Sequence, residues 1–209
     1  MKYALLGCGY HARGVASVLV ANEPQCQIVF VDPNAQPNEH ILGFPVMPTA
    51  PDDATHFIAA TGYPDKLEDW SHGKHLTTVI SRKASVGLMT EIEDGCFVGD
   101  GAFIGSEVRI GFGSIVNTHA VVEHNAQIGR LCNICPGATV LGQCKIGDYT
   151  FVGAGAVIKN NLHICPHVII GMGSIVVDDI TEPGTYIGNP ARKINSNTVI
   201  HHVQHLPHS

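Results

Sequence analysis

Residues 98–146 read, in blocks of six, VGDGAF IGSEVR IGFGSI VNTHAV VEHNAQ IGRLCN ICPGAT VLGQCK I. Every block opens on Ile or Val, and the register runs without an insertion from Ile80 to Val176, seventeen hexads in all. Four residues after each opening position the side chain is usually small, as at Ala84, Thr90, Cys96, Ala102, Ser114, Ala120, Ala126, Cys132 and Ala138. Glycine often follows the opening residue directly, as at Gly99, Gly105, Gly111 and Gly129. Helix faces repeat at about 3.6 residues and strand faces at 2, so a period of six fits neither. It predicts a parallel β-helix, in which each short strand buries one branched side chain and then turns a corner. Three hexads make one triangular coil, so residues eighteen apart stack at the strand spacing of about 4.8 Å.

The bulk numbers agree with a narrow prism. Hydrophobic residues make up 44% of the chain and aromatic residues 6%, the balance expected of a core filled with Ile and Val. A formal charge of −6 argues against a partner held through a phosphate backbone, so no nucleic acid is expected. There is no apolar run of membrane-spanning length and no secretory pattern at "KYALLGCGY", so the expectation is a cytoplasmic protein with no membrane contact. Seven cysteines, with Cys96, Cys132 and Cys144 in the small hexad position, read as reduced core thiols; Cys132 and Cys135 form a CxxC that the register already explains.

Ahead of the hexads the pattern changes. "KYALL" reads as a buried strand, "GCGYHARG" as a turn, the stretch around Val15, Val18 and Leu19 as a helix, and "QIVFVD" as a second strand. Gly7, Gly9 and Ala12 stand at GxGxxA spacing, with Asp32 closing the second strand. Such a turn lets backbone approach a phosphate, the helix N-terminus offers free N–H groups, and an acid after the second strand accepts from a ribose hydroxyl. "PNAQPNEHILGFP" reads as a polar loop, "THFIAATG" as a third strand, "YPDKLEDW" as a helix and "HLTTVI" as a fourth strand. Residues 1–78 are thus expected to form an α/β Rossmann-like mononucleotide-binding domain, half the size a dinucleotide fold needs. Residues 79–181 are the β-helix and 182–209 a C-terminal tail with His201, His202, His205 and His208. The front domain and the tail are expected to cover the two open ends of the β-helix.

The chemistry concentrates in "VNTHAVVEHNAQ", residues 116–127, which groups Asn117, His119, Glu123, His124 and Asn125 where neighbouring hexads show glycine and small residues. His124 stacks between Ser106 and Gly142, which leaves room beside an imidazole suited to general-base work near neutral pH. His119 reads as an ordinary solvent-facing residue. Three-histidine zinc sites occur on some β-helices, but the third ligand here would fall at Lys83, so no metal is expected.

Taken together, "GCGYHARGVASVL", "FVD", "ILGFPV", "NTHAVVEHN", "CPGATVLGQCKIG" and "GTYIGNPARKI" resemble the NeuD/PglD-type acetyltransferases of bacterial surface-sugar synthesis across nearly the whole chain. That resemblance implies a left-handed β-helix, acetyl-CoA as co-substrate, and N-acetylation of a nucleotide-linked amino sugar, commonly a UDP-4-amino-4,6-dideoxyhexose. It implies His124 as catalytic base, with Asn125, Glu123 and Asn117 around it. Gly7, Gly9, Tyr10, His11, Asp32, Thr61 and Gly62 would hold the nucleotide sugar. Asn133, Gly142, Gly153, Ala154, Gly171 and Gly173 would line the CoA channel, and the assembly would be a homotrimer with active sites between subunits. The chain departs from the family at Asn125, where Glu or Asp usually follows the base; Glu107, one coil below, and Glu123 are the carboxylates that could take its place. It departs too at Asn133, where a second histidine is common, and at "TGY", where Gly-Asn is usual. An O-acetyltransferase acting on a sugar or sialic acid hydroxyl is the alternative reaction, and a non-catalytic nucleotide-sugar-binding protein the alternative of another class.

Overall fold

The structure, a computed structural model, describes residues 1–61 and 73–194. Seventeen strands of two or three residues, β6 (Val79–Ile80) through β22 (Ile175–Val176), wind into three parallel sheets that form the faces of a triangular prism. On the first face Ile80, Val98, Val116, Ile134, Val152 and Ile170 are register partners in turn. On the second face the ladder is Val86, Ile104, Val122, Val140, Ile158 and Val176. On the third it is Ile92, Ile110, Ile128, Ile146 and Ile164. Each rung is eighteen residues from the next, so the β-helix read from the hexads is the fold. From Val98 on, all these side chains are buried, each contributing about 1.5–3 kcal/mol.

The small hexad position has a second duty. Cys96, Ser114, Cys132 and Cys144 donate from their side chains to the carbonyls of Gly111, Gly129, Gly147 and Lys159, fifteen residues on, at 2.8–3.2 Å. A small donor there ties each corner to a carbonyl of the next coil. Burial pushes the Cys96, Cys132 and Cys135 thiols up to about 12. All seven cysteines are free. The third position after each opening residue takes φ near +60°, as at Glu107, His119, Asn125, Gln143 and Gly137.

The N-terminal unit is a five-stranded sheet in the order β3 (His40–Ile41), β4 (Phe44–Met47), β2 (Gln27–Val31), β1 (Lys2–Leu6), β5 (His56–Ala59). Strands β4, β2, β1 and β5 run parallel, and α1 (Tyr10–Asn22) connects β1 to β2. Two details differ from the reading above. The stretch 33–45, taken as polar loop, runs at its end into a hairpin over 40–47, because Ile41 and Val46 bury against the sheet. The expected fourth strand contributes one bridge, Leu76 with Phe57, before the chain enters the prism.

The front unit does not close an end of the prism. It lies along the first face, where the outward side chains Val79, Phe97 and Ile115 join the core formed by Leu5, Val15, Leu19 and Phe30. Asn22 at the end of α1 bonds both Ile80 and Arg82 across this contact. Outward apolar residues on one face need a cover, and a flat sheet offers more area than the prism's end. Among the described residues nothing closes that end: Ile80 and Val86 are 37% and 42% accessible. At the other end the tail does not merely cap. Strand β23 (Gly184–Ile187) joins the first face beside β21 (Val168–Ile170), pairing Ile170 with Tyr186, and β24 (Arg192–Lys193) turns back against it. No helix among the described residues is long and apolar enough to cross a membrane.

Candidate active site

Each hexad ends in a tight turn at a corner of the prism. Turns 117–120 sit at the corner between the first and second faces, and turns 123–126 at the corner between the second and third. Asn117 and His119 are therefore not brought together with His124, contrary to the grouping read from the sequence. Consecutive hexads occupy different faces, so residues six apart in sequence lie at different corners. Asn117 Oδ1 accepts from the Thr118 N–H in its own turn.

The exposed imidazole of His124 stands at the corner opposite the first face. Its ring lies against the next coil: a Cβ placed on Gly142 would be 2.8 Å from both Cε1 and Nε2. Only glycine at 142 leaves that ring where it is. Below, Gly105 allows equally close stacking, since a Cβ there would meet the His124 backbone nitrogen at 2.6 Å. On the other edge of the ring, Nδ1 and Asn125 Oδ1 are 3.0 Å apart, and Asn125 Nδ2 donates to Glu107 Oε2 at 2.8 Å. Of the two carboxylates considered above, the one a coil below makes the link. Glu123 instead accepts from the His124 backbone N–H at 3.4 Å.

The carboxylate orients the amide. Glu107 accepts only, so Asn125 turns its NH₂ down to it and its oxygen toward the ring. Nδ1 then carries the proton, and Nε2 keeps a lone pair on the side of Gly142. An exposed imidazole in that tautomer can take a proton from a bound nucleophile.

The second candidate region is the crevice at the carboxyl ends of β1 and β5, the point where strand order reverses in this sheet. Gly7, with φ 116°, and Gly9 form the turn after β1; Thr61, buried, follows β5. Gly9 caps α1 without a side chain, so the first-turn N–H groups beside exposed Tyr10 face the crevice end. Asp32 accepts from the Asn34 N–H at 2.9 Å and from the Cys8 thiol at 2.9 Å. Burial, then the Asp32 contact, pushes that thiol up to about 12. Sequence reading passed over Cys8; its place between the two glycines, facing the end of β2, was the available signal. His11 packs edge-on against Phe97 with ring centroids 5.1 Å apart; its Nε2 is buried with no partner among the described residues, and burial lowers its pKa to about 4. Gly62 and the helix expected over 63–70 lie outside the described residues.

The remaining candidates divide between the corners. Gly153, Ala154, Gly171 and Gly173 line the corner of Asn117, and Gly142 that of His124. Asn133 lies outward on the first face, half-buried. At Gly173, φ is +67° and the Cβ direction is open.

With the geometry in place, the likenesses to known proteins can be read. The bacterial transferase hexapeptide (six repeats) family matches residues 125–160. The acetyltransferase domain of PglB from Neisseria gonorrhoeae superposes with a TM-score of 0.86 at 27% identity, covering 92% of this chain and 99% of that one. PerB from Caulobacter crescentus, a perosamine N-acetyltransferase solved with CoA and GDP-perosamine, gives 0.82 at 27% identity over 93% and 98%. Among curated sequences, the acyl-[acyl-carrier-protein]–UDP-N-acetylglucosamine O-acyltransferase of Pseudomonas entomophila is 25% identical over 44% of the chain. The probable UDP-3-O-acylglucosamine N-acyltransferase 2 of Arabidopsis thaliana is 30% identical over 57%. The matched stretch spans little more than a third of those curated relatives, 36% and 37% of their lengths. The hexapeptide-repeat β-helix is the class of fold that the prism and the family match define. Over its full length the chain is similar to sugar acetyltransferases built on the hexapeptide-repeat β-helix.

Proposed function

We propose that this chain transfers the acetyl group of acetyl-CoA to the amine of a sugar carried on a nucleoside diphosphate, with His124 as the general base. The observation that carries this reading is the His124–Asn125 pair, Nδ1 and Oδ1 3.0 Å apart, which with the proton on Nδ1 leaves the Nε2 lone pair toward Gly142. As the sugar nitrogen attacks the thioester carbonyl, Nε2 takes its proton. The new C–N bond forms, the C–S bond breaks, and the departing CoA thiolate recovers the proton from the imidazolium. Positioning both substrates supplies much of the rate, and a backbone N–H at the corner would steady the oxyanion.

In this reading residues 1–78 hold the nucleotide sugar and 79–181 form the transferase prism. Gly7, Gly9, Tyr10 and His11 would take the phosphates at the turn and the N-terminus of α1, with Asp32 and Thr61 at the sides of the crevice. The crevice lies on the first face, and His124 projects from the corner opposite, with the prism between them. One copy's base must then serve a nucleotide held by another. The second face, with Phe103, Val121, Val157 and Ile175 outward, separates the His124 corner from the Asn117 corner and offers an apolar seam for that partner. In this reading the assembly is a homotrimer with shared sites, with Asn117, Gly153, Ala154, Gly171 and Gly173 facing a neighbour's His124 and Gly142.

The test is release of free CoA thiol from acetyl-CoA in the presence of nucleotide-linked amino sugars. His124→Ala is expected to lower kcat by about 10²–10⁴-fold; wild-type turnover in that variant overturns the base assignment. The Glu107 carboxylate behind Asn125 keeps transfer to a hydroxyl in view, since it restores charge to the pair. A product stable to mild base marks an amide, a labile one an ester.

A further inference from the structure

We propose that Glu107 is a positioning residue for the base, acting through Asn125, so that a carboxylate from the coil below does what an acid directly beside the histidine would do. The proposal rests on the reading of His124 as the base. It is carried by one unbroken chain: Glu107 Oε2, Asn125 Nδ2 at 2.8 Å, Asn125 Oδ1, His124 Nδ1 at 3.0 Å.

Backbone geometry places both ends of the chain. Glu107 and Asn125 occupy the same turn position eighteen residues apart, with φ of 60° and 58°, so their side chains leave the corner in the same direction, one rung apart. Asn is among the few residues that adopt this region at little cost, because its short amide can bond locally. An acid next to the histidine would stand a few ångströms above a second carboxylate. The amide avoids that like-charge contact and turns the lower carboxylate into an asset.

Two consequences follow for the ring. The carboxylate fixes the amide orientation, and the amide oxygen then fixes the proton on Nδ1. The negative charge also polarises the amide, so its oxygen becomes a better acceptor as the ring becomes an imidazolium. Glu123 cannot supply this, since its carboxylate accepts from the His124 main chain and not from the ring. Lys159, two coils above at the same corner, stands on the far side of Gly142. No other charged group is placed to orient Nδ1 among the described residues of turns 105–108, 123–126 and 141–144.

Charge and hydrogen bonding can be separated. Glu107→Gln keeps an acceptor for Asn125 but removes the charge, and lets the two amides flip together. It is expected to lower kcat on the order of tenfold, the factor that about 1.4 kcal/mol of transition-state stabilisation represents, with KM for acetyl-CoA unchanged. Asn125→Asp alone stacks two carboxylates and is expected to lose activity as well. Combined, Asn125→Asp with Glu107→Gln reverses the relay: the introduced amide donates to a carboxylate that now stands beside the ring. This double variant is expected to recover most of the wild-type kcat. ¹⁵N NMR of the His124 ring reads the same arrangement without turnover. Nδ1–H should dominate in the wild type, become mixed with Nε2–H in Glu107→Gln, and return in the double variant. Wild-type kcat and an unchanged tautomer in Glu107→Gln overturn the relay, as does a double variant no better than the single. If the wild type transfers no acetyl group at all, the function proposed above fails, and the NMR series still decides the relay on its own.

Discussion

Two histidines five residues apart, His119 and His124, occupy successive corners of the same coil and share almost nothing else. His119 stands three residues past Val116, at the left-handed turn position with φ 55°, and its ring folds down against Gly101 of the previous coil. Nearby Asp100 is engaged by Lys83 at 2.8 Å and Ser81 at 2.6 Å. His124 stands two residues past Val122, lies against Gly142 of the next coil, and has its ring fixed by Asn125. A shift of one position within the hexad changes which coil the ring meets, and whether a side chain follows that can fix its tautomer. Residue type and exposure do not separate the two; turn position does.

That contrast can be broken most directly at the rings. His124→Ala is expected to remove nearly all acetyl transfer, while His119→Ala keeps kcat within about twofold, the range of an ordinary surface substitution. Equal losses at both would mean that turn position is not what selects the base. The glycines come next. Gly142→Ala pushes on the imidazole at 2.8 Å without straining its own backbone, and should lower kcat on the order of 10- to 100-fold through misplacement. Gly101→Ala, at φ +67°, should leave kcat alone and cost about 1 kcal/mol in urea denaturation.

Stability offers the same comparison along the prism rather than around it. Ile134→Ala, in the fully buried middle of the first face, is expected to cost about 2–5 kcal/mol. Ile80→Ala, on the same ladder at the open end, should cost below about 1.5 kcal/mol. Similar losses would show that the end is covered in solution. The smallest effect belongs to the His119 corner. Lys83, then Ser81, hold the Asp100 carboxyl below its ordinary value of 3.8. A carboxylate whose folded value is depressed stabilises the fold above its unfolded value, and that contribution is lost as pH falls through the folded one. Lys83→Met should therefore lower the urea midpoint slightly at pH 7, on the scale of an exposed ion pair, and the difference from wild type should shrink as pH falls below 3.8.

Much of the site was legible because a β-helix turns sequence arithmetic into space. Adding eighteen to 124 gives Gly142, and subtracting eighteen from 125 gives Glu107; both neighbours are where that sum puts them. The same arithmetic, applied to faces, would have parted Asn117 from His124, since two adjacent hexads never share a corner. Other features had no such rule behind them. Cys8 meets Asp32 because β1 and β2 pair side by side with the turn folded over them. His11 loses its solvent because Phe97, from the prism, packs over it. Both are contacts between segments whose separation obeys no period.

The amino-acid sequence by itself determined the prism: a strict period of six leaves each branched side chain only one way to be buried, and short-range repetition sets every rung. It also singled out His124, the residue proposed above as the base. Tertiary structure decided the rest. It laid the front unit along the first face rather than over an end, because three outward apolar side chains there needed a cover. It put the crevice and the base on opposite sides of one chain. It chose Glu107 over Glu123 as the partner of Asn125, because the direction of a side chain leaving a left-handed turn is set by backbone geometry that composition does not carry.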